Sequence, residues 1–130
     1  MKLVGVSQKA LILNKRNEIL ILRRSKSAPV RALTWDLPGG DLDFGEDAIQ
    51  GIKREIKEET GLEVDKMIPF DVESHINREG DFWVTIAYKT KINSGKIVLS
   101  YEHDEFKWVS KEEFLKLDSA DKLKRFVRNL

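Results

Sequence analysis

Between Gly40 and Leu62 the chain reads GDLDFGEDAIQGIKREIKEETGL, and this stretch limits the possible folds more than any other. At about 100° per residue it forms one amphipathic helix. Its expected span is about Glu46 to Thr60, with acidic Glu46 and Asp47 in the first turn and Gly61 as the stop. Glu55, Glu58 and Glu59 stand at i, i+3 and i+4, so three carboxylates share a face. Gly51 and Ala48 occupy that face one and two turns earlier. Ile49, Ile52 and Ile56 make an adjoining apolar stripe, and Gln50, Lys53 and Lys57 lie opposite the carboxylates. The lysine side is therefore the solvent side. Small residues beside the acids imply that backbone packs closely there, and Gly39-Gly40 is the nearest candidate.

The rest of the chain surrounds this helix with short strand-like runs. Ala10–Leu13 and Ile19–Leu22 read as a hairpin, followed by a basic loop from Arg23 to Arg31. Pro38-Gly39-Gly40 predicts irregular backbone. Ile68–Ser74 and Phe82–Tyr88 read as strands around an Asn77–Asp81 turn, with Ile97–Leu99 and Phe106–Val109 as further strands. Ser110-Lys111-Glu112-Glu113 matches a capping box, and Leu123, Phe126, Val127 and Leu130 mark a C-terminal amphipathic helix. Strands interleaved with a few helices give a mixed α/β fold. With 130 residues, no repeat and no linker, one domain is expected.

Three neighbouring carboxylates repel one another by roughly 0.2–0.5 kcal/mol per pair even when exposed. A divalent cation converts that repulsion into coordination, and hard oxygen ligands suit Mg²⁺ or Mn²⁺. Local charge agrees. The net +1 of the chain divides into +6 over residues 1–40, −5 over residues 41–63 and zero beyond. Near-neutrality argues against a stable nucleic-acid partner, and no apolar run reaches the roughly 20 residues of a membrane span. With no Cys and no secretory pattern at the start, a cytoplasmic location is expected.

Gly40, Glu46, Arg54, Glu55, Ile56, Glu58, Glu59, Gly61 and Leu62 fill every specified position of G-x5-E-x7-R-E-U-x-E-E-x-G-U. The stretch resembles the Nudix box, and a chance match is on the order of one in ten million. Trp35-Asp36-Leu37-Pro38-Gly39 is similar to the family's usual lead-in. The resemblance implies an α/β/α sandwich with a mixed sheet. It also implies metal-dependent hydrolysis of a nucleoside diphosphate linked to another moiety, for example a nucleoside triphosphate cleaved to monophosphate and pyrophosphate. By the same resemblance Glu55, Glu58, Glu59 and the Gly39 carbonyl ligate Mg²⁺ or Mn²⁺. Arg54 hydrogen-bonds to Glu55 and orients it, Glu46 supports the loop–helix junction, and Gly40 and Gly61 are structural. Some relatives are dimers, so the resemblance allows a homodimer without requiring one.

The water-activating base is Glu55 in the box, or Glu102 or Glu105 in Tyr101–Phe106, with Glu102 favoured as base or added ligand. Arg23 and Arg24 are candidate phosphate contacts, since guanidinium forks suit phosphate oxygens. His75 and His103 are assigned no metal. Among the aromatic residues Trp83 is the outlier, because alternation places it opposite Phe82, Val84 and Ile86. Lys122, Lys124, Arg125 and Arg128 read as a solvated helix face. Two other functions compete: a non-catalytic nucleotide or ADP-ribose binding module, and hydrolysis of an RNA cap or 5′ end. Complete retention of the carboxylates disfavours the first, and small size disfavours the second.

Overall fold

A computed structural model describes residues 3–130 of the chain. Strand β1 (Val4–Leu13) is the centre of a mixed sheet, and β2 (Ile19–Arg24) returns from it through a tight turn. Two short strands follow, β3 (Trp35–Asp36) and β4 (Gly39–Asp41), before helix α1 (Ala48–Thr60). Strands β5 (Glu63–Val64), β6 (Ile68–Ile76), β7 (Phe82–Ser94) and β8 (His103–Val109) come next. Helices α2 (Lys111–Leu115) and α3 (Asp121–Asn129) complete the chain. β1 pairs in parallel with β7 from Val4↔Phe82 to Leu13↔Lys91, and the named strands otherwise pair antiparallel.

Period-2 alternation on β1 and β2 builds both cores. Leu11, Ile19 and Ile21 point to the side where Phe114, Leu123, Phe126 and Val127 of α2 and α3 pack. Ala10, Ile12, Leu20 and Leu22 point to the other side, onto Ile52 and Ile56 of α1. Apolar runs without polar alternation are what a sheet covered on both faces requires. The architecture is the expected α/β/α sandwich.

Several local expectations are corrected. α1 begins at Ala48, because the Asp47 side chain caps it by accepting from the Gln50 N–H, so Glu46 precedes the helix. Gly61 ends it in the left-handed region at φ 77°, as its position suggests. Ile49 is exposed and does not join the buried stripe. The Trp35–Gly40 segment is not wholly irregular, since β3 and β4 pair with β2 and β1. Ile97–Leu99 is not a strand. Its Val98 N–H bonds the Thr60 carbonyl at 2.9 Å, while Ile97 and Leu99 pack against the α1-side core. The capping box at Ser110 forms as read.

Candidate active site

β4 wedges between β1 and α1, and its two glycines make the approach possible. A side chain on Gly39 would run into the Gln8 carbonyl, and a Cβ on Gly40 would lie 2.6 Å from the Glu55 carboxyl carbon. The close backbone packing inferred for the acidic face is therefore β4 against Glu55 and Glu59. Gly51 serves a different contact, since its missing Cβ leaves room for the Glu46 carboxylate.

The three box glutamates sit in three environments. Glu59 is 5% exposed, and its Oε1 accepts from the Gly39 N–H at 2.8 Å. Burial pushes its carboxyl up to about 8, with Asp36 and Glu102 adding to the rise and Lys9 and the Gly39 N–H opposing it. Glu55 is also raised, chiefly by burial, with Glu58 and Glu102 adding and Arg54 opposing. Glu58 lies on the rim, and its two oxygens accept from Arg54 Nη1 at 3.2 Å.

Arg54 divides its guanidinium among three carboxylates, the expected Glu55 being one of them. Its Nε and Nη2 fork onto Glu46 at 2.9 and 3.2 Å, while Glu55 is reached as an ion pair at 3.3 Å. It thus ties the segment before α1 to the helix and holds Glu58, which leaves Glu55 a lesser share of its donors. Glu46 also accepts from the Asp43 N–H at 3.3 Å, so it does brace the loop–helix junction.

Gly39, Gly40, Glu55, Glu58, Glu59 and Glu102 line one cleft of about 510 Å³, with Lys9 and Arg24 among its basic residues. Glu102 is therefore brought to the box glutamates. Glu105 is not part of that lining and lies 3.7 Å from Arg23. The structure separates the two arginines as well. Arg24 reaches the cleft and bonds Asp36 at 3.2 Å, whereas Arg23 is outside the lining and forks onto Asp104 at 2.8 and 3.2 Å. Among the described residues no acidic or imidazole groups form a ready-made cluster of metal ligands. The donor set nonetheless fits a hard cation. Its side chains are carboxylates, and two of them are held in part out of water with raised affinity for positive charge.

Sequence reasoning missed the polar support beneath the cleft. Lys9 is buried and donates to Asp36 at 2.9 Å and to the Leu37 carbonyl at 3.2 Å. Burial alone would raise the Asp36 carboxyl, yet Lys9 and the surrounding hydrogen bonds hold it far below the usual range. Asp36 in turn holds Lys9 above its ordinary value against the opposing effect of burial. A lysine set directly before the apolar run Ala10–Leu13 was the available signal. His103 is buried beside this pair, 3.7 Å from Asp36, and neither ring nitrogen has a hydrogen-bond partner. Lys122 is not on a solvated face, because it turns inward and donates to Thr85 Oγ1 at 3.3 Å.

A mixed sheet between α1 and the α2–α3 pair, with a carboxylate helix wedged against a Gly-Gly strand, defines a class of proteins, and the comparisons agree. The NUDIX domain family matches residues 4–130, and the chain belongs to that family. It is 30% identical over 95 residues to mouse 8-oxo-dGDP phosphatase NUDT18, covering 73% of this chain and 28% of that protein. It is 28% identical over 114 residues to Arabidopsis thaliana Nudix hydrolase 8, covering 86% of this chain and 30% of that one. The chain thus spans under a third of the length of these curated relatives. The crystal structure of a MutT protein from Methanosarcina mazei Go1 superposes with a TM-score of 0.83 at 31% identity, covering 98% of this chain and 92% of that one. Among the described residues no helix is long and apolar enough to cross a membrane.

Proposed function

We propose that the protein is a divalent-metal-dependent hydrolase that cleaves the pyrophosphate bond of a nucleoside diphosphate linked to another moiety. The observation that carries this reading is the cleft itself, where Glu55, Glu58, Glu59 and Glu102 face one space backed by the Gly39-Gly40 strand. Acids gathered with one of them 5% exposed are costly without a cation, and coordination removes that cost. Glu55, Glu58, Glu59 and the Gly39 carbonyl are the groups that would hold Mg²⁺ or Mn²⁺. When bound, the metal supplies charge neutralisation on the phosphates and on the leaving oxygen.

The chain's own residues do the remaining work. The Gly39 N–H fixes one oxygen of Glu59, and Arg54 fixes the rim glutamate while anchoring the loop through Glu46. Arg24 offers its guanidinium to phosphate oxygens at the cleft edge. Glu102 accepts the proton of the attacking water, with Glu55 as the rival base. Family membership supports hydrolysis of nucleotide-type pyrophosphates, and the activities named for NUDT18 and Nudix hydrolase 8 point the same way.

A hydrolysis screen over nucleoside triphosphates, nucleotide sugars, ADP-ribose and dinucleoside polyphosphates tests this, run in Mg²⁺ and Mn²⁺ with ¹⁸O-water. Metal-dependent cleavage with ¹⁸O in one phosphate product is expected. Nucleotide binding without turnover across the panel would replace this reading with a binding module.

A further inference from the structure

The chain has three tryptophans, and two of them pack into the cores. Trp35 is 8% exposed on the α2–α3 side, and Trp108 packs against the α1-side cluster. Trp83 does neither. It stands on β7 beside Gly5 of β1 in the parallel register, and its indole lies flat on that glycine. A Cβ at position 5 would sit 2.6 Å from both Cδ2 and Cε3 and 2.7 Å from Cε2, near-equal distances that mark the broad face of the ring. One face of the indole is thus supported by backbone. Trp83 also borders a cavity of about 260 Å³, lined further by Gly40, Asp41, Asn77, Lys122 and His75, its register partner on β6. That cavity shares Lys9, Gly40 and Asp41 with the carboxylate cleft, so the two are immediate neighbours.

The edges of this cavity are hydrogen-bonding groups with unspent capacity. Asn77 Oδ1 is taken by the N–H groups of Glu79 and Asp81 at 3.1 and 2.9 Å, which pins the side chain and leaves its NH₂ to donate. Lys122 Nζ spends one donor on Thr85 and keeps two. Asp41 adds a carboxylate acceptor to the lining of the same space. A supported indole face bordered by fixed donors and an acceptor matches a flat heteroaromatic ring with polar edges.

We propose that Trp83 is the stacking platform for the nucleobase of the substrate, with Asn77, Lys122 and Asp41 at the base edge. This rests on the proposed nucleotide hydrolysis and adds where the nucleoside sits relative to the diphosphate. Stacking on Trp83 selects for a base without touching the bond that breaks, so Trp83 is a specificity residue. Gly5 is a positioning residue that acts through the indole.

The test compares two probes that share an uncleavable diphosphate, α,β-methylene nucleoside diphosphates of the four common bases and methylenediphosphonate, titrated into the full chain with Mg²⁺. The nucleoside probes are expected to shift the Trp83 indole N–H resonance in the unaltered protein, whereas methylenediphosphonate leaves it in place. Trp83→Leu is expected to weaken the nucleoside probes about 5- to 150-fold, the range for loss of one base–aromatic stack, with methylenediphosphonate affinity unchanged. Trp83→Phe retains most of the affinity, and Gly5→Ala loses it by displacing the ring. An unshifted Trp83 resonance at saturation, or equal loss for both probes in Trp83→Leu, overturns the proposal. Because binding is read without turnover, a chain that hydrolyses nothing yet shows the Trp83 signature loses only the enzymatic reading. An active chain without that signature loses only this site.

Discussion

The carboxylate wall of the groove comes from one helix, with Glu55, Glu58 and Glu59 within five residues. The wall around Trp83 is assembled from β1, β4, β6, the Asn77 turn, β7 and α3. The first wall is set by helical spacing and survives any change elsewhere that leaves α1 against β4. The second exists only because β1 and β7 run parallel in the Gly5↔Trp83 register. A one-residue slip would turn Trp83 to the opposite face. The contrast separates two kinds of information: the groups proposed for phosphorus chemistry are encoded locally, and those proposed to select the nucleoside are encoded by tertiary register.

Substitutions at the two walls therefore fail in different ways. The largest effect is expected at Glu59→Gln, with turnover reduced about 10²–10³-fold for every pyrophosphate substrate regardless of base. A loss that depended on the base would break the distinction, because the proposal places the nucleoside at the Trp83 wall alone.

The second effect is on the metal-free protein. Glu59 binds its proton more tightly in the folded state, so stability is highest below the ordinary carboxylate range near 4.5 and falls as pH rises to about 8. The loss across that window is on the order of 4 kcal/mol. The upward shift of Glu55 acts in the same direction. Asp36 acts oppositely, and its contribution disappears only at much lower pH. Melting curves between pH 4.5 and 8 in a chelator should show the decline, and Glu59→Gln should flatten it. A flat profile in the unaltered protein would remove the electrostatic account of the carboxylate wall.

Arg54→Lys is the next smaller effect, expected at about 10–100-fold in metal affinity by titration. Lysine keeps the charge but cannot fork onto Glu46 while holding Glu58. The smallest effect sharpens the comparison at the basic edge. Arg24→Gln should raise the Michaelis constant several-fold, whereas Arg23→Gln should leave it within about twofold. An exposed pair like Arg23–Asp104 contributes only about 0–1 kcal/mol to stability. Equal effects at both arginines would return Arg23 to the cleft.

What was readable in the sequence follows the same division. Ile52 and Ile56, the carboxylate spacing and the Gly61 stop obey helical geometry over a few residues, so each could be placed from the chain alone. The β1–β2 core followed from unbroken apolar runs. Ile97–Leu99 looked like a strand, but burial against α1 and the Val98–Thr60 bond satisfy it without a pairing partner. Lys122 looked solvated because its helix surface is mostly charged, and only the packing of α3 over β7 reveals Thr85 as its partner. That Arg54 also forks onto Glu46 depended on where the loop before α1 turns back. That too is a tertiary fact.

We place a divalent cation at Glu59 and its neighbours, with Glu59 held by the Gly39 N–H. Titration of Mn²⁺ into the protein, followed by electron paramagnetic resonance, tests it directly without substrate or turnover. Saturable binding is expected in the unaltered chain, weakened most in Glu59→Gln and less in Glu58→Gln, with both variants folded. Unchanged Mn²⁺ affinity in Glu59→Gln would contradict it.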